Sequence, residues 1–375
     1  MNKNPGGLAD VVAGDTAICT VSATESALCY RGYRIEDLVQ NASFDEVAYL
    51  LIEGTLPNAT QLKAWLGERM RLQILPQPLL LALQSYPKNA HPMDVLRTAC
   101  SFLGLLEPEL IPNVSSGREI AKRLFALFPS ILAYWYQYHY ISPDVKMGDD
   151  ASFAGHFLYG LQGSSVDKEF IQMLNVSCIL YAEHEFNAST FAARVTCATM
   201  TDFYSAICSA IGTLKGPLHG GANEAAMALF EKMSSPEQAR IAIHQMLANK
   251  DKIMGFGHRV YQKGDPRSPI IQKWAERLAE KTGKMNLYHI AQVIEEVVFQ
   301  EKGLYPNVDF YSAVAYHCAN IATPLFTPIF VLARITGWAA HILEQRANNR
   351  LIRPQAHYTG PEMQVFTPIE QRGTQ

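Results

Sequence analysis

The chain has 375 residues, 48% of them hydrophobic and 18% charged, which is enough apolar material for a large core or two domains and too much for a disordered chain. With 32 basic and 35 acidic residues the formal charge is −3, so nothing general draws the chain to nucleic acid or to an anionic membrane, and an anionic ligand must be held by local arginines. The seven cysteines are scattered and never form a Cys-x-x-Cys pair, which argues against a disulfide framework and against a zinc site.

The first residues, Met1-Asn-Lys-Asn-Pro-Gly-Gly, lack the apolar core of a signal peptide. No later run reaches membrane-spanning length before a charged or polar residue interrupts it, so a cytoplasmic location is expected. Thr16-Ala-Ile-Cys-Thr-Val-Ser22 reads as a short strand, and Arg350-Leu-Ile-Arg353 as a second. Ser43-Phe-Asp-Glu46 is a capping box ahead of apolar Val47, Leu50 and Leu51, with Gly54 as the stop. Residues 117–140, 166–181, 191–213 and 270–281 carry apolar side chains at helical spacing, and Gly, Pro, Asn and Asp fill the breaks. Ser235-Pro-Glu-Gln238 opens another helix with proline at its first position. Residues 191–213 and 327–343 are apolar all round, which predicts helices buried in a large monomer or across a subunit interface. No βαβ rhythm appears, and an all-α fold is expected.

Three segments concentrate chemistry: Leu214-Lys-Gly-Pro-Leu-His219-Gly-Gly-Ala-Asn-Glu224, Met254-Gly-Phe-Gly-His258-Arg-Val-Tyr261 and Asn307-Val-Asp309-Phe-Tyr-Ser312. Glycine beside histidine lets a substrate approach closely. Proton removal next to a carbonyl needs a base at carbon and a donor where charge develops on oxygen, and Asp309, His219 and His258 supply such groups. Structural roles coexist with these: the Gly-Gly after His219 suits a turn into a helix starting near Ala222, and Asp309 suits a helix N-cap. Protonation of His219 is disfavoured just ahead of a helix N-terminus, while burial of Asp309 and nearby arginines pull its pKa in opposite directions.

Arg267 in Asp265-Pro-Arg267, Arg334 in Leu332-Ala-Arg334 and Arg353 in Leu351-Ile-Arg353-Pro stand in unusual company. Arg334 lies inside an apolar helix and needs an anionic partner, either an acid such as Glu344 or Asp309 or a substrate carboxylate. In His184-Glu-Phe-Asn187-Ala-Ser189, Asn187 or Ser189 suits a helix cap. No His-Glu-x-x-His occurs and no metal ligand set is expected. The glycine-containing stretch from Lys252 to Gly257 lacks the Walker pattern, yet its backbone N–H groups suit a nucleotide-like cofactor.

Gly216-Pro-Leu-His219-Gly-Gly-Ala-Asn, Gly255-Phe-Gly-His258-Arg-Val-Tyr with Asp265-Pro-Arg267, Pro306-Asn-Val-Asp309-Phe-Tyr-Ser, Ala333-Arg334 and Arg353-Pro354 resemble, in this order, the citrate synthase family. Tyr30-Arg-Gly-Tyr33-Arg-Ile-Glu-Asp-Leu38 extends the likeness into the N-terminal half. The short length, the opening from Gly7 to Ala17 and the ending Tyr358-Thr-Gly-Pro-Glu362 with Phe366-Thr-Pro-Ile-Glu resemble the family's 2-methylcitrate-forming branch. Two features depart from that branch: the segment from Ser22 to Ala27, and Arg259 after His258, as in many citrate synthases.

The resemblance implies an all-α homodimer whose large domain, 1–220 with 321–375, carries a smaller one at 221–320 that closes over the substrates. It implies Asp309 as the base on the acyl-CoA, His219 as donor to the thioester oxygen and His258 as polariser of the oxaloacetate ketone. Arg267, Arg334 and His184 would hold oxaloacetate, with Arg353 arriving from the partner subunit. Asp251, Lys252, Ile253, Met254 and Gly255 would line the coenzyme A site. Propionyl-CoA is the expected acyl donor and acetyl-CoA the alternative, as a co-substrate and not a tightly bound cofactor. A non-catalytic acyl-CoA sensor is the competing class of reading, against which the intact His219, His258 and Asp309 set argues.

Overall fold

The computed structural model describes residues 8, 11–22, 27–148 and 150–372, so Gly7, Ala9 and Asp10 of the opening motif and residues 23–26 of the departing segment lie outside the described residues. Among the described residues are sixteen α-helices and one three-stranded antiparallel sheet. Strand Cys19–Ser22 pairs with Ala27–Tyr30, which turns through Arg31-Gly32 into Tyr33–Arg34. This hairpin matters because Tyr30, fully buried, donates its hydroxyl proton toward the carbonyls of Ile179 (3.0 Å) and Glu183 (3.1 Å). It thereby pins the chain that leads into His184.

Local sequence explains the helix ends. The Ser43 hydroxyl accepts from the Glu46 N–H and the Glu46 carboxylate accepts from the Ser43 N–H, while Gly54 ends helix Phe44–Glu53 in the left-handed region. Ser235 caps Pro236–Ala248 with proline at the helix start, as the sequence predicts. Helix Phe326–Ala347 runs through the core, buried along nearly its whole length and packed by Val114–Tyr140, Ala188–Cys197, Phe203–Lys215, Phe44–Glu53 and Lys168–Tyr181. Counter to the sequence expectation, Thr323–Ala347 is long and apolar enough to cross a membrane by length and composition, but its apolar window is wholly buried in the protein. Helices Ala222–Phe230, Pro236–Ala248, Ser268–Lys281, Met285–Lys302 and Val308–Cys318 pack mainly on one another and meet the rest chiefly through Lys168–Tyr181 and Phe326–Ala347.

Three local expectations are corrected. Residues 191–213 form two helices, Ala188–Cys197 and Phe203–Lys215, because Met200 adopts φ 64° and the Asp202 side chain caps the second helix. Arg350–Arg353 is no strand: residues 351–372 are irregular and mostly exposed apart from the 3-10 turn Ile369–Gln371, and among the described residues no strand pairs with them. The cap of Val308–Cys318 is Asn307, whose side chain accepts from the Asp309 N–H, which leaves the Asp309 carboxylate free for other work.

Candidate active site

Each histidine is held by contacts that decide which nitrogen carries its proton. The N–H of Ser189 donates to His219 Nε2 at 3.2 Å, so in the neutral ring Nε2 is the acceptor and Nδ1 keeps the proton. The Ser189 hydroxyl also lies 2.9 Å from that nitrogen; it accepts from the Trp338 indole N–H at 3.1 Å and has Asn187 Oδ1 within 2.8 Å. Asn187 caps the Ala188–Cys197 helix, so the anchor of His219 sits on that helix's first turn. The loop is tight behind the imidazole: a Cβ at Gly220 would stand 2.1 Å from the Leu214 carbonyl oxygen.

His258 shows the opposite tautomer. Its Nδ1 accepts from the N–H groups of Val260 (3.1 Å) and Tyr261 (3.3 Å), which leaves Nε2–H as the donor. Its ring lies 4.9 Å from that of His184 and 4.6 Å from that of Tyr261, and the Tyr261 hydroxyl is 3.0 Å from His184 Nε2. Burial, reinforced by Arg334, holds His219 down to about 4, and burial with Arg267 does the same for His258. Burial also pushes His184 well below the usual imidazole range, with Arg267 adding to it. All three rings are neutral near neutral pH, and the direction expected for His219 holds, with burial as its main cause.

Asp309 sits on the first turn of Val308–Cys318 and receives the Tyr181 hydroxyl proton on Oδ1 at 2.6 Å. Burial raises its pKa above the ordinary carboxylate value, and the opposing pulls of the Tyr181 hydrogen bond and of Arg267 do not cancel that rise. The contest left open by the sequence therefore goes to burial. Arg267 grips Asp265 through two hydrogen bonds, at 2.9 and 2.8 Å, and Asp265 also accepts from the Val308 N–H at 3.0 Å. One buried ion pair thus ties Arg267 to the start of the helix that carries Asp309.

Arg334 is buried, with only 1% of its surface exposed, and donates from Nε to the Tyr181 carbonyl at 2.7 Å. Neither acid considered from the sequence is its partner: Glu344 pairs with Arg194 at 2.7 Å, and Asp309 is engaged by Tyr181. Glu183, whose charge favours the charged form of Arg334, pairs with His341 at 2.9 Å. Among the described residues Arg334 has no carboxylate within ion-pair distance, so its guanidinium offers a desolvated anion site. Trp338, one turn on, holds Ser189; helix Phe326–Ala347 therefore links the His219 and Asp309 halves of the site.

The stretch from Asp251 to Gly255 leads straight to the base. Asp251 and Lys252 are exposed, Ile253 and Gly255 buried, and Met254 is intermediate. Gly255, at φ 89°, accepts from the Asn307 N–H at 2.9 Å, and a Cβ there would come within 2.9 Å of the Phe310 ring. Arg353, like Asp251 and Lys252, lies exposed, in the irregular C-terminal segment beyond helix Phe326–Ala347. Sequence reasoning missed Tyr181 and Trp338 and saw Ser189 only as a helix cap. A polar hydroxyl closing the apolar run before Ala-Glu-His184 was the available signal for Tyr181.

A family model described as citrate synthase, C-terminal domain, matches residues 7–355. The chain belongs to the citrate synthase family. It is similar to a 2-methylcitrate synthase of Shewanella oneidensis, 48% identical over 98% of this chain and 97% of that protein. It is also similar to citrate synthase 2 of Bacillus subtilis, 45% identical over 98% of each. Among solved structures it resembles the citrate synthase of Thermoplasma acidophilum in a ternary complex with carboxymethyl coenzyme A and oxaloacetate, with a TM-score of 0.91, 33% identity and coverage of 97% and 98%. The all-α, two-domain citrate synthase fold is thus the fold of this chain, and the chain is an acyltransferase of a family that works on coenzyme A thioesters.

Proposed function

We propose that the enzyme condenses propionyl-CoA with oxaloacetate and hydrolyses the product thioester to 2-methylcitrate and free coenzyme A, with lesser activity on acetyl-CoA. The observation that carries the chemistry is that two histidines are held in opposite tautomers, each with one ring N–H left as a donor, while the Asp309 carboxylate is held by the Tyr181 hydroxyl. Asp309 takes the α-proton of the acyl group, and His219 Nδ1–H donates to the thioester oxygen as the enol forms. The enol carbon attacks the oxaloacetate ketone, whose oxygen is polarised by His258 Nε2–H, takes that proton and stays on its carbon as the new hydroxyl. Water then cleaves the thioester and drives the sequence forward.

Arg267, Arg334 and His184 hold the carboxylates and ketone of oxaloacetate, and the 251–255 stretch receives coenzyme A. Segment 221–320 acts as a small domain that closes over both substrates. Arg353 serves the site of the other copy in a homodimer; its exposure on an irregular segment, with Tyr358, Val365 and Phe366 also exposed, suits a segment that wraps a neighbour. The seven cysteines are free thiols, which suits the cytoplasm.

The acyl preference rests on the greater identity to the Shewanella protein, while Arg259 and the Bacillus relative favour acetyl-CoA as the second reading. One methylene is worth ~0.8 kcal/mol of burial, and a pocket distinguishes such neighbours by only ~1–3 kcal/mol. Oxaloacetate-dependent thiol release should give a kcat/KM for propionyl-CoA a few-fold or more above that for acetyl-CoA, with butyryl-CoA below both. A higher value for acetyl-CoA would make the enzyme a citrate synthase, every side-chain role unchanged.

A further inference from the structure

Tyr181 closes helix Lys168–Tyr181, is fully buried, and works at both ends of its residue. Its hydroxyl donates to Asp309 Oδ1 at 2.6 Å, and its backbone carbonyl accepts from Arg334 Nε at 2.7 Å. The ring between lies 4.4 Å from Phe330, on whose face the Arg334 guanidinium rests at 4.7 Å. We propose that Tyr181 is the positioning residue that sets the basicity and aim of Asp309 and joins the base to the arginine that receives oxaloacetate. This rests on the reading of Asp309 as the carbon base.

The hydroxyl has one proton to give. Ser312 Oγ, 3.2 Å away, spends its own proton on the Val308 carbonyl at 2.7 Å, so the shorter contact to Asp309 is the one Tyr181 serves. Burial and the neighbouring Asp309 keep the phenol protonated far above neutral pH, which makes it a permanent donor. A hydrogen bond to a carboxylate favours its charged form, so Tyr181 limits the rise that burial imposes on Asp309. The other charges that act on Asp309 are Arg267 and Asp265 from the loop ahead of Ser268–Lys281, and Arg334 from the core helix. Asp265 offsets part of the pull of its partner Arg267, and the Tyr181 hydroxyl is the strongest single group that favours the charged carboxylate.

Tyr181→Phe keeps the ring and the carbonyl and removes only the hydroxyl. The acid limb of kcat/KM for the acyl-CoA should move up by ~1 pH unit, the scale of one charge-assisted hydrogen bond, and kcat should fall with the aim of the base. KM for oxaloacetate should stay within about two-fold, since the carbonyl that holds Arg334 is retained. Placing 3-fluorotyrosine at position 181, a stronger donor of almost the same shape, should move the acid limb the other way, and this holds as a test even if the phenylalanine variant folds poorly. An unmoved acid limb in both variants, with Asp309→Asn inactive, would overturn the role of Tyr181 and leave the base in place. An active Asp309→Asn enzyme would overturn the underlying reading itself.

Discussion

At the scale of single residues the site is organised by where protons sit. Ser189 N–H fixes His219 as an Nδ1–H donor, and the N–H groups of Val260 and Tyr261 fix His258 as an Nε2–H donor. A neutral imidazole is a weak acid, better matched to an enol than an imidazolium would be. Both rings are held down to about 4, against ~6.5 for an ordinary imidazole. The unfolded chain therefore binds more protons between those values, so the neutral rings stabilise the fold fully above pH ~6.5 and lose that contribution as pH falls toward ~4. Imidazole NMR signals of His219 and His258 should stay in the neutral form from pH ~8 down to pH ~5 while Tm declines as the pH is lowered below ~6.5. A midpoint near ~6.5 for either ring would contradict the desolvated site.

At the scale of elements, what the sequence states locally is what the fold obeys. The Ser43 capping box, the Gly54 stop and the Ser235-Pro start depend on a few adjacent residues and stand as read. The break between Ala188–Cys197 and Phe203–Lys215 is hard to read because Thr199 to Asp202 is a short, largely polar stretch between two apolar runs, with the cap at Asp202 as its local mark. The alternation at Arg350–Arg353 misled because a strand needs a partner, which no local pattern supplies. The same distinction runs through the site. His219, His258 and Asp309 announce themselves by glycine neighbours and motif, whereas Tyr181, 128 residues from Asp309, and Trp338, 149 from Ser189, acquire meaning only when helices pack. Arg334 lies between: burial in an apolar helix demanded an anion, but the absence of a protein acid beside it was visible only in three dimensions.

At the scale of the whole molecule, the role proposed for Arg353 needs a second copy of the chain. Arg353 lies exposed on an irregular C-terminal segment, while Arg267, Arg334 and His184 are buried. If Arg353 serves the neighbouring site, Arg353→Ala and Asp309→Asn subunits, each inactive alone, should recover about half the sites of every mixed dimer, because one site then has both groups intact. No recovery after verified subunit exchange would confine each site to its own chain. If Asp309 is the base on carbon, Asp309→Asn alone should abolish chemistry and spare binding. Calorimetry should show oxaloacetate binding as in the parent enzyme, while oxaloacetate-dependent release of coenzyme A from propionyl-CoA falls by at least ~10²-fold, the scale of a positioned general base. Turnover within a few-fold of the parent, with oxaloacetate still bound, would remove Asp309 from the mechanism.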